Sequence, residues 1–97
     1  MAAGEYQVVW TPDFTEDAYL AVDYVQNVLK MPIAAKNLLE GIEKTLENRK
    51  AMPTAAVKRT TPNGAVVYMA SYHHYNVYYT IEDNVIKAIA LKHQLEI

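Results

Sequence analysis

The chain contains no cysteine and only three glycines, Gly4, Gly41 and Gly64, each far from the others. The first absence excludes a disulfide framework and a cysteine nucleophile. The second excludes the glycine-rich phosphate loops of nucleotide-binding folds, and no nucleophile-elbow motif is present. No stretch reaches the roughly 18 apolar residues needed to cross a bilayer, so no membrane association is expected. Met1 to Glu5 has neither the basic start nor the apolar core of a secretory leader, so the expected location is the cytoplasm. A formal net charge of −2 argues against a strongly basic nucleic-acid binder.

Tyrosine is what the chain has in quantity: eight, against one tryptophan and one phenylalanine. Five of them, Tyr68, Tyr72, Tyr75, Tyr78 and Tyr79, lie between Tyr68 and His93, together with all three histidines. The charge is divided as well. Residues 1–50 hold five Lys or Arg against eight Asp or Glu, net −3, and residues 51–97 hold four against three, net +1. Arg49, Lys50, Lys58 and Arg59 bracket the middle of the chain, where Pro and Gly nearby suggest a solvated surface loop.

Ninety-seven residues make one small domain, 1–97, able to bury roughly 60–70% of the surface its unfolded chain exposes. Tyr6 to Trp10 is short, aromatic and β-branched, which predicts a strand. Thr11 is placed to cap a helix, Pro12 suits its first turn, and Asp13, Glu16 and Asp17 put negative charge where the helix dipole favours it. Phe14, Ala18, Ala21, Val22, Val25, Val28 and Leu29 then form one apolar stripe, predicting a helix to near Lys30. Pro32 opens a second helix with Ala35, Leu38, Leu39, Ile42 and Leu46 as its stripe, and the short connection requires an antiparallel hairpin. Ala51-Met52-Pro53 ends it. Strands are predicted over Ala56 to Thr60, Ala65 to Ala70, Tyr75 to Ile81 and Val85 to Leu91, with turns at Pro62-Asn63-Gly64 and Glu82-Asp83-Asn84. The order is βααββββ, and two amphipathic helices are best buried on one face of a twisted antiparallel sheet, giving a two-layer α+β domain.

The strand of Tyr6 to Trp10 followed by TPDFTEDAYLAVDYV, the helix PIAAKNLLEGIEKTLENRKAMP, and the closing NVYYTIEDNVIKAIALKH together resemble the RelE/ParE superfamily of type II toxin–antitoxin toxins, over nearly the whole length. The aromatic strand with Tyr79, the turn, the apolar strand and His93 follow that superfamily's closing pattern. DYV before a Pro-initiated helix with Ala34-Ala35 is similar to its ParE branch. The resemblance implies no cofactor and two alternative activities. ParE-like members poison DNA gyrase, a protein–protein interaction. RelE-like members cleave ribosome-bound mRNA, which needs a base, a leaving-group acid and cations on the phosphorane.

Under the nuclease alternative, Lys58 and Arg59 offset phosphate charge while Tyr79 and His93 move protons. Where the RNA-cleaving branch usually has a basic residue after its strand aromatic, this chain has the uncharged Asn76. Alternation also puts Tyr75, Val77, Tyr79 and Ile81 on one face of their strand and Asn76, Tyr78 and Thr80 on the other, which reads Tyr79 as a core aromatic with a satisfied hydroxyl. Adjacent His73 and His74 point oppositely on extended backbone, so no shared metal site is expected and an exposed turn is. Tyr72, His73, His74, Tyr75 and Tyr78 are the candidate partner-contact residues, since tyrosine is enriched at protein interfaces. The expected partners are a cognate antitoxin, in an apolar groove between hairpin and sheet, and DNA gyrase. The alternative is the ribosome and mRNA; an inactive antitoxin-binding module and a homodimer also stay open.

Overall fold

The computed structural model describes residues 6–94. Strand β1 spans Gln7–Trp10. At its end Thr11 adopts extended backbone and its hydroxyl oxygen accepts the Phe14 N–H at 3.2 Å, so helix α1, Pro12–Asp23, starts where the cap and Pro12 dictate. The helix does not continue unchanged to Lys30. Tyr24–Val28 form a π-helical turn, and Lys30 closes it with left-handed backbone at φ 58°. The wider turn shifts the phase of the apolar stripe. Phe14 and Ala18 are buried and Ala21, Val22 and Val25 pack against the core, whereas Val28 and Leu29, expected in the stripe, are exposed.

Helix α2, Pro32–Asn48, buries Ala35, Leu38, Ile42 and Leu46 at three- and four-residue steps. Four strands follow: β2 Val57–Thr60, β3 Val66–Tyr72, β4 Tyr75–Glu82 and β5 Val85–His93. Gly64, at φ 89°, closes the β2–β3 turn. His73 and Asp83, at φ 53° and 55°, sit in the two tight turns that follow, and both residue types tolerate that conformation better than most.

The sheet order is β1-β5-β4-β3-β2. The expectation of an antiparallel sheet holds for β2 to β5, but β1 runs parallel to β5, with Val8 opposite Ile86 and Trp10 opposite Ala88. A parallel neighbour requires a long crossover, and the whole helix hairpin and meander supply it. Within β5 the ladder slips: Tyr79 faces Ala88 and Tyr78 faces Ala90, leaving Ile89 as an extra residue. Beyond that bulge the Leu91 N–H donates to Asp17 Oδ2 of α1 at 3.1 Å, tying helix to strand.

One core lies between the layers. Phe14 and Ala18 from α1 and Leu38, Ile42 and Leu46 from α2 meet Ala70, Val77, Tyr79, Ile86, Ala88 and Leu91 from the sheet. Trp10 packs edge-on against Phe14, with ring centroids 4.8 Å apart. At Gly41 the backbone of α2 lies so close to the sheet that a Cβ there would meet the Tyr72 ring at 2.0 Å. The Tyr72 hydroxyl, 3.3 Å from the Asn37 carbonyl, reaches across the same seam. The smallest extent of the molecule is 21 Å, one helix layer and one sheet layer of about 10 Å each, so the second face of the sheet is uncovered.

Candidate functional site

The seam between hairpin and sheet opens at one end of the molecule into two adjoining hollows. One, of about 480 Å³, is bounded by Asp17, Leu20 and Tyr24 of the first helical segment and by Tyr75, Leu91 and His93 of the sheet. The other, of about 300 Å³, lies between Val25, Ala34 and Leu38 on the helical side and the Tyr72-His73-His74-Tyr75 corner. Tyr75 lines both.

That corner gathers all three histidines. His93 faces Tyr75 in the β4–β5 register, their rings meeting edge-on at 5.1 Å, and its imidazole stacks on that of His74 at 6.1 Å. The His73 ring meets the Tyr72 ring edge-on at 4.4 Å, and the Gln94 N–H donates to the His74 carbonyl at 2.7 Å. Among the described residues no group of three or more His, Asp or Glu side chains is placed to hold a metal ion.

The candidate partner residues therefore divide. Tyr72, His73, His74 and Tyr75 share the corner, while Tyr78 turns to the uncovered sheet face between Met69 and Ala90. Leu20 and Tyr24, one helical turn apart, were missed by sequence reasoning. Their signal is an apolar pair outside the buried stripe of their own helix, 62% and 51% exposed. Nothing in the sequence marks Asp17 as a groove wall.

The four residues of the nuclease alternative are not brought together. Lys58 and Arg59 are exposed on the edge strand β2, on opposite faces: Lys58 opposes Tyr68, and Arg59 opposes Val67. Tyr79 has no exposed surface, and its hydroxyl donates to the Pro53 carbonyl at 2.5 Å. The Tyr68 ring stacks beside it at 5.6 Å. Burial pushes the Tyr79 phenol above its ordinary pKa of 10.0; the nearby Arg49 guanidinium opposes the shift and Tyr68 adds to it. The phenol is thus a held proton donor at neutral pH, not a base. His93 pairs with Tyr75, four residues from Tyr79 along β4, about 13 Å away at roughly 3.3 Å per residue.

Residues 8–97 match the family described as the ParE toxin of the type II toxin–antitoxin system parDE. The chain belongs to the ParE toxin family. The fold agrees: a solved structure described as the chromosomal ParDE TA system from P. aeruginosa aligns with a TM-score of 0.75 at 14% identity, over 94% of this chain and 98% of that one. No curated protein matches the chain. Membership of a toxin–antitoxin family implies a cognate antitoxin as partner.

Proposed function

We propose that this ParE-family chain arrests growth by binding DNA gyrase, and that its antitoxin neutralises it by laying an amphipathic segment into the seam groove. One observation carries the emphasis on protein binding. Leu20 and Tyr24, which line the groove, are exposed, and the connecting end of the helix hairpin that follows them exposes Val28, Leu29, Met31 and Ile33 as well. Contiguous exposed apolar side chains rimmed by polar ones are the usual mark of a protein-binding surface. A helix or strand with apolar anchors fits such a groove through the same packing that closes a core. Gyrase as the target rests on the family resemblance. The dispersed Lys58, Arg59, Tyr79 and His93 and the committed Tyr79 hydroxyl favour this reading over RNA cleavage.

The test is a supercoiling assay with purified chain and gyrase. Inhibition with trapped cleavage complex, reversed by the antitoxin, is the expected result; unchanged supercoiling and no trapped complex would sink the gyrase assignment. Substituting Leu20 and Tyr24 together by serine should weaken antitoxin binding while leaving the melting temperature nearly unchanged, because both side chains are already solvated.

A further inference from the structure

A two-layer domain ordinarily turns polar side chains outward from the uncovered face of its sheet. Here the central row of that face is apolar from strand to strand: Val57 opposes Met69, Met69 opposes Tyr78, and Tyr78 opposes Ala90. None of these four packs against the core, and Val57 is 51% exposed. Val67 and Val9 flank the row on the same face. The charges around it are mostly of one sign. Arg59 stands beside Val67, Lys87 beside Val9 and Thr80, and Lys92 beside Asn76. Among the described residues Glu82 is the one carboxylate directed there, paired to Lys87 at 3.9 Å, so three described cations face one described anion on a chain whose total charge is −2.

We propose that this uncovered face is a second docking surface, separate from the seam groove, and that its occupant is an acidic protein segment carrying apolar side chains. The apolar row supplies the desolvated centre and Arg59, Lys87 and Lys92 the complementary rim, the arrangement that steers an oppositely charged partner. A second copy of this chain fits poorly. A two-fold contact would set the three cations of one face against those of the other. Because the two surfaces lie on opposite sides of the sheet, both can be occupied at once.

The experiment uses the full chain, isotope-labelled for NMR. It is titrated with a short peptide of glutamates interspersed with leucines, with the same peptide carrying lysine for glutamate, and with a single-stranded oligodeoxynucleotide. The expected result is amide shifts at Met69, Tyr78, Lys87 and Ala90 with the acidic peptide alone. Binding should weaken as salt rises and fall at least roughly tenfold in Arg59→Glu/Lys92→Glu. Both side chains are exposed, so the melting temperature of the variant should match the parent. Arg59→Gln/Lys92→Gln, which neutralises without reversing, should give an intermediate loss. Shifts confined to Leu20, Tyr24 and His93, equal binding of the lysine peptide, tighter binding of the oligonucleotide, or concentration-dependent self-association through these same amides would each overturn the proposal.

Discussion

Tyr78 and Tyr79 are neighbours in the chain with opposite surroundings. Tyr79 is sealed between the layers, stacked on Tyr68 with its hydroxyl given to Pro53, while Tyr78 lies among Met69, Ala90 and solvent on the uncovered face. Strand parity alone separates them. The same residue type thus serves as core and clasp on one side and as open surface on the other, so a count of tyrosines says nothing of function until each is assigned a face.

The sharpest way to break that comparison is to truncate each in turn. Tyr79→Ala should cost about 3–5 kcal/mol, as large-to-small changes in cores do. Against the roughly 5–15 kcal/mol that hold a domain together, this should appear as a large fall in the denaturation midpoint. Tyr78→Ala should cost less than about 1 kcal/mol; similar losses at the two positions would erase the distinction. Next comes the tie between layers. Asp17→Ala strands the Leu91 N–H behind the bulge and should cost about 1.5–3 kcal/mol by urea denaturation, while Asp17→Asn, which keeps an acceptor, should lose less.

Gly41 probes the closest approach of helix to sheet. Gly41→Ala should cost about 1–3 kcal/mol through the clash with Tyr72. In a Tyr72→Ala background the same change should stabilise by up to about 1 kcal/mol, because alanine is the better helix former. A double-mutant cycle reads this inversion of sign, and its absence would mean that the seam relaxes freely.

The clasp itself contributes less than either tie between the layers. Tyr79→Phe leaves the Pro53 carbonyl without its donor and should cost about 1 kcal/mol near neutral pH. Since the folded-state pKa of Tyr79 is raised above 10.0, the folded chain holds a proton that the unfolded chain releases. Its contribution is therefore complete below about pH 10 and is lost as pH climbs through the folded value. Tyr79→Phe should flatten that alkaline loss, measured as the midpoint of denaturation against pH.

Much of this is legible in the sequence itself. The Thr11-Pro12 start, the Pro32 start, the three turns and the alternation that buries Tyr79 all follow from local chemistry. The departures have specific causes. A π turn at Tyr24–Val28 rotates Val28 and Leu29 out of a stripe that simple helical spacing includes. The bulge at Ile89 has the corresponding effect in the sheet. With Ile86 and Ala88 facing the helices, strict alternation would send Leu91 and His93 to the uncovered face; the extra residue returns both inward, burying Leu91 and setting His93 against Tyr75 and His74. The histidine corner of the groove thus depends on one inserted residue. The parallel pairing of β1 was equally hidden, being a contact between the two ends of the chain.

Under the function proposed above, this ParE-family chain acts by binding a protein, and the Tyr79 hydroxyl is held for structure. The most direct test is mRNA integrity in a purified translation system supplied with the chain. The mRNA should stay intact with the parent chain and with Tyr79→Phe/His93→Gln alike. Codon-dependent cleavage by the parent that the double variant loses would contradict it.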